Sequence, residues 1–172
     1  MDFDAVIRSR YSCRAYQDRP VGAALVSDII SLAVNAPSAG NRQEWRIVAV
    51  SDRDLVTRIA LEAGDQKWWA GAPVILACCA DTDNHVMRCR QPCYTVDVSI
   101  IMDHIGLIAA SRGLGSCWLG AFDEDAVKNI CAIPRHIRVV GLLTLGYPAD
   151  KPKEKKRLPV ENVLFSNRWE GR

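Results

Sequence analysis

Long apolar runs are missing from this 172-residue chain: the longest, Val74 to Ala80, is seven residues, far short of the roughly 20 that a bilayer-spanning helix needs. No membrane-crossing helix is therefore expected. No apolar stretch precedes Arg8, and Met1-Asp2-Phe3-Asp4 carries two acids, so no secretory signal is expected either. A surplus of one charge is also missing. Lys and Arg number 22 against 20 Asp and Glu, leaving +2, which gives no general electrostatic reason to bind nucleic acid or a membrane surface. There is no Cys-x-x-Cys pair and no internal repeat. The seven cysteines, at 13, 78, 79, 89, 93, 117 and 131, are odd in number and lack the spacing of a secreted disulfide framework. They point to reduced thiols in a cytoplasmic protein.

What is present reads as one ordinary globular domain. Apolar residues at 49 % and charged residues at 24 % exclude a disordered or collagen-like chain, and a chain of this length can bury about 70 % of its unfolded surface without disulfides or a structural metal. Residues 21 to 34 place Leu25, Ile29, Leu32 and Ala33 at helical spacing, and this helix must end near Pro37. The β-branched run Arg46 to Val50 reads as a strand. Ser51 is a plausible N-cap for a helix over 52–62, with Gly64 as terminator. Val74 to Ala80 has the composition of a fully buried strand.

Val96 to Arg112 carries Val98, Ile101, Ile105 and Ile108 on one face and Ile100, His104, Leu107 and Ala110 on another. A helix apolar nearly all round belongs in a core or an interface. A short strand over 116–119, a helix over 124–130 capped by Asp123 and a last strand over 138–145 complete the order α, α, β, α, β, α, β, α, β. That order predicts a single sheet with helices, α/β or α+β. From Pro148 the composition changes: Lys151, Lys153, Glu154, Lys155, Lys156 and Arg157 crowd between prolines 148, 152 and 159, as in an extended, solvated segment. Val160, Val163, Leu164, Phe165 and Trp169 follow, and would dock on the same domain or on a partner.

Three clusters could carry chemistry. In Arg10-Tyr11-Ser12-Cys13-Arg14, alternate residues of an extended segment point the same way, so two guanidiniums and a hydroxyl could converge on one anion. A solvated basic strand would show the same pattern. Ala36-Pro37-Ser38-Ala39-Gly40-Asn41-Arg42-Gln43-Glu44-Trp45 is rich in turn formers and amides, and an amide suits a heterocycle edge better than a point charge. A structural loop with an Asx turn is the alternative. In Gly113-Leu114-Gly115-Ser116-Cys117-Trp118-Leu119-Gly120-Ala121-Phe122, small residues allow close approach of backbone to a flat ligand.

In this order and spacing the three clusters, with Leu145-Gly146-Tyr147-Pro148 and the basic tail, resemble the FMN-dependent nitroreductase family over essentially the whole chain. The resemblance implies an α+β, three-layer sandwich with one mixed central sheet flanked by helices. It implies a homodimer with FMN at the interface, residues 1–148 forming the FMN-binding domain and 149–172 an extended tail exchanged onto the partner. Arg10, Tyr11, Ser12 and Arg14 would hold the phosphate and ribityl end, joined by Lys155 and Arg157. Pro37, Ser38, Ala39 and Asn41 would come from the other subunit, with Asn41 and Gln43 addressing the flavin and its ribityl chain. Leu119, Gly120 and Ala121 would lie against the ring. The implied activity takes hydride from NADH or NADPH and passes electrons to a nitroaromatic, quinone or similar planar acceptor in a ping-pong cycle, with the cofactor carrying the chemistry and no protein acid or base required.

Two departures stand out. Glu44 occupies a position where the family commonly has proline, which loosens the loop and brings a carboxylate near the expected site. Only fifteen residues separate Asp81 from Asp97, where larger members insert helical structure, so an open pocket is expected. His85, Cys89 and Cys93, spaced by four, would stack soft ligands on a helix, but Pro92 argues against that helix and no metal is expected. Cys117 lacks the glycine spacing of a nucleophile elbow, which favours a buried, inert thiol over a cysteine hydrolase. A flavin-storage module without turnover and a specialised flavin reaction are the remaining alternatives.

Overall fold

The computed structural model describes residues 2–64, 66–152 and 154–169. Four strands form one sheet: β1 (Trp45–Val50), β2 (Val74–Ala80), β3 (Gly115–Leu119) and β4 (Arg138–Gly146), in the order β1-β2-β4-β3. Every neighbouring pair is antiparallel, where a mixed sheet was expected. The reason is topological: β2 and β3 share a direction but flank β4 on opposite sides, so they never pair. The parallel element is confined to an isolated bridge between Ser12 and Ser116.

β2 is buried along its whole length, and its period-two alternation divides the molecule into layers. Val74, Leu76, Cys78 and Ala80 face one core with α2 (Ala23–Ala33) and α4 (Cys93–Ser111). Ile75, Ala77 and Cys79 face a second core with α3 (Arg53–Arg58) and α5 (Glu124–Cys131). The expected helix–sheet–helix sandwich is thus formed, preceded by a short α1 (Phe3–Ser9).

Several local expectations shift by a residue or a turn. The buried stripe of α2 is Val26, Ile29 and Ala33, which leaves Leu32 exposed; Val26 and Ala33 lie to one side of Ile29 around the helix and Leu32 to the other. Asp52, rather than Ser51, caps α3, its carboxylate accepting from the amides of Asp54 and Leu55. A single π turn, Ile59–Ala63, continues that helix to Gly64, whose φ of −107° is not left-handed. Glycine is needed there because the Trp69 ring covers its Cα: a Cβ would meet the ring at 2.0 Å.

α4 begins three residues before the expected start, because Pro92 sits at its N-cap, where a missing N–H costs nothing. At 19 residues, α4 is long and apolar enough to cross a membrane by length and composition, contrary to the expectation from run length. Isolated polar residues such as Asp97 and Asp103 interrupt its runs without removing its apolar character. Half of its most apolar window is buried within the protein, against α2 and the sheet, as in a core helix.

Candidate cofactor site

After α1 the chain turns extended at Arg10 and runs beside β3. The Cys13 amide donates to the Ser116 carbonyl at 3.0 Å, an approach that requires glycine at 115, where a Cβ would lie 2.7 Å from Cys13. Extended alternation turns Cys13 inward and leaves Ser12 and Arg14 outward. As a result Arg10, Ser12 and Arg14, joined by Tyr11, line one cavity of about 390 Å³ whose other wall is the tail, including Lys155 and Arg157. These six expected residues converge.

Sequence reasoning missed the residue that ties the walls together. The Tyr11 hydroxyl donates at 2.9 Å to Asp150, shared between its carbonyl and Oδ1, and the Cys13 thiol donates to the same Oδ1 at 3.2 Å. Burial, then Asp150, pushes the Tyr11 phenol up and the Cys13 thiol up to about 11. Neither ionises near neutrality. Nothing local marks Asp150 in sequence, because its partners lie more than 130 residues away.

The cavity's chemistry is that of an anion cradle. Its lining carries six cationic side chains, adding Lys151 and Lys156 to the four named, against the carboxylates of Asp150 and Glu154. The Lys155 ammonium donates to the Arg8 carbonyl. Burial, followed by repulsion from Arg10 and Arg157, pulls its pKa down, a crowding that an anion between the three would relieve. The Arg14 guanidinium, in the cavity lining, lies 5.8 Å over the Trp68 ring and donates to the Ser12 carbonyl at 3.4 Å.

The other two clusters do not line this cavity. Pro37, Asn41 and Gln43 are exposed on a loop between α2 and β1, with Ser38 and Ala39 half-buried. Leu119 is buried at the end of β3, with Gly120 and Ala121 exposed beyond it; within this chain it is the Trp118 indole that folds over Gly120. Glu44 does not project into the cradle: it is 5 % exposed and held by Arg42 at 2.7 Å. The loop it belongs to is therefore clamped, not loosened.

No group of three or more His, Cys, Asp or Glu side chains suited to a metal occurs among the described residues. His85 and Cys89 lie on a tight hairpin closed by a Val86–Pro92 bridge, while Cys93 is buried in the first turn of α4, so the three never share a helix face. Cys117 is 3 % exposed and burial pushes its thiol up, which makes it a poor nucleophile.

The chain is thus a two-core α+β sandwich with a basic cradle between its N-terminal segment and its tail. The chain belongs to the nitroreductase family, whose sequence model it matches over residues 7–65 and 60–147. It is 34 % identical over 157 residues to a "Putative NADH dehydrogenase/NAD(P)H nitroreductase" of Methanothermobacter thermautotrophicus, covering 88 % of this chain and 80 % of the relative. It is 30 % identical over 169 residues to an "FMN reductase [NAD(P)H]" of Bacillus subtilis, covering 88 % and 68 %. A crystal structure of a nitroreductase family protein from Clostridium difficile superposes with a TM-score of 0.88 at 27 % identity, covering 98 % of this chain and all of the other.

Proposed function

We propose that this protein is a cytoplasmic NAD(P)H-dependent FMN oxidoreductase that reduces a nitroaromatic, quinone or similar planar acceptor and works as a homodimer with its flavin sites at the interface. The observation that carries the reading is the cradle: Arg10, Tyr11, Ser12 and Arg14 come together with Asp150, Lys151 and residues 154–157 around one strongly basic cavity. Its donor set fits a phosphate, since guanidiniums bind phosphate bidentately and Ser12 adds a hydroxyl. The name of the Bacillus subtilis relative supports FMN as the owner of that phosphate and NAD(P)H as donor.

In this reading Arg10, Ser12, Arg14, Lys155 and Arg157 bind the phosphate end, and Tyr11 holds the tail in place through Asp150. Residues 1–148 form the cofactor domain and 149–172 a tail that lines the cradle of its own chain as far as Arg157 and docks on the partner beyond it; Lys153 and residues 170–172 lie outside the described residues. Pro37, Ser38, Ala39, Asn41 and Gln43, which line no wall of the cradle in their own chain, reach the site of the other subunit, and Leu119, Gly120 and Ala121 back the ring. When bound, FMN supplies the redox chemistry, accepting hydride from NAD(P)H and returning electrons to the acceptor in a ping-pong cycle. The protein orients and charge-neutralises.

The test is the visible spectrum of the purified protein, followed by reduction with NADH or NADPH and addition of menadione. Oxidised-flavin bands that bleach and then return rapidly are expected. A colourless protein with no affinity for FMN overturns the reading, and a flavin that bleaches but does not return would mark a store rather than an oxidoreductase.

A further inference from the structure

The loop between α2 and β1 contains a charged cluster that the cradle does not use. Glu44 is buried, and its Oε1 accepts from the Arg42 guanidinium at 2.8 Å from Nε and 2.7 Å from the terminal nitrogen. The same nitrogen lies 2.7 Å from Asp83 Oδ1, on the segment leading into the 86–92 hairpin. The Glu44 carbonyl accepts from the Asp81 amide at 2.8 Å. On the other side, Asp97 of α4, 2 % exposed, accepts from the Ala39 amide with both oxygens, at 3.1 and 3.2 Å.

Between these anchors the backbone is left-handed three times, at Gly40 (φ 59°), Asn41 (φ 56°) and Gln43 (φ 49°). Non-glycine residues stay in that region only where the surroundings over-determine them. Within the loop the Gln43 amide donates to Ser38 Oγ at 3.1 Å, which fixes the turn but not its place on the protein. The second Glu44 oxygen, Oε2, is buried with no hydrogen-bond partner. Apolar side chains in place of both members of such a buried pair are often neutral or stabilising, whereas removal of one member strands the charge of the other. What the carboxylate adds is direction: it aims the guanidinium, and the guanidinium spans to Asp83.

We propose that Arg42 and Glu44 are positioning residues of the cofactor site: with Asp83 they clamp the 38–44 loop so that the left-handed Asn41 and Gln43 present their amides to the flavin. This rests on the flavin reading above. Neither residue touches the flavin; each acts through the backbone of its neighbours.

The test compares wild type, Glu44→Leu, Arg42→Met, Arg42→Lys and Asp83→Asn for FMN Kd, visible circular dichroism of the FMN-saturated protein, and melting temperature. Expected are an FMN Kd raised about tenfold and an altered flavin dichroism at saturation in Glu44→Leu and Arg42→Met, with the melting temperature lowered more in Arg42→Met, which strands the buried Glu44 carboxylate. A smaller rise is expected in Asp83→Asn and partial recovery in Arg42→Lys, whose single point charge cannot span both carboxylates. Should Glu44→Leu fail to fold, Asp83→Asn carries the same readout from a side chain that is 64 % exposed. Lowered melting temperatures with unchanged Kd and dichroism would reduce the triad to scaffolding and overturn the proposal. Tight FMN binding by wild type and variants alike overturns the positioning role alone; no FMN binding by wild type overturns both readings.

Discussion

Glu124 shows how far one partly buried carboxylate can be committed. It accepts from Arg138 at 3.0 and 3.1 Å, from the Val139 amide at 2.9 Å and from Lys128 at 2.9 Å. Burial opposes its ionisation, but the Arg138, Lys128 and Val139 donors outweigh burial and hold the carboxyl down at about 2. A folded pKa below the ordinary glutamate value of about 4.3 means that the contribution is complete above that pH and is lost as pH falls from there toward 2. Glu124→Gln is therefore expected to lower stability at pH 7 by about 2 kcal/mol, after allowance for partial exposure, and to flatten the acid loss; melts between pH 7 and 3 read both. In the cradle, each charge-assisted hydrogen bond contributes roughly 1.5–3 kcal/mol. Arg14→Ala should thus weaken FMN binding tenfold or more with the fold intact, since its side chain is exposed and serves no core. Unchanged affinity in Arg10→Ala/Arg14→Ala would remove both from the phosphate site.

At the scale of elements, the junction of the π turn with Trp69 is the sharpest packing constraint in the second core. Trp69 is 1 % exposed with its ring against Gly64, so Gly64→Ala must move a buried indole and should cost about 1–3 kcal/mol, visible as a lower denaturation midpoint. Gly64 was legible as a helix end but not as a packing seat, because the partner ring belongs to the next turn. β2 and α4 were readable because each carries its own period: seven apolar residues bounded by Pro73 and Asp81, and a helix apolar on most sides. Strand sense was not readable, since it depends on which strands become neighbours. In the cradle, alternation put Arg10, Ser12 and Arg14 on one side but fitted a solvated basic strand equally well, and the family resemblance was what favoured an anion site; the Glu44–Arg42–Asp83 triad joins a loop to a segment across β1 and β2. Nothing in the local sequence announces that register.

At the scale of the molecule, the described residues leave a group of large apolar side chains uncovered. Leu158, Val160, Val163, Leu164 and Trp169 of the tail are 64 to 81 % exposed, and Val96, Ile100 and Leu107 of α4 are exposed or half-buried. Exposed apolar side chains in such number are what an interaction surface would cover. The proposed homodimer buries both regions in one isologous interface of roughly 2,000 Å² or more, the tail of each chain crossing to its partner. Since the tail also supplies Lys155 and Arg157 to the cradle, cofactor retention and dimerisation should fail together. Truncation after Lys151 is expected to release FMN and to leave a monomeric or unfolded chain in sedimentation velocity runs. Full-length protein should sediment as a dimer with one FMN per subunit. A folded, soluble monomer of the truncated chain that keeps stoichiometric FMN would break the link between tail, dimer and cradle, since it would show the phosphate held without the tail's cations and the apolar surface tolerated in solvent.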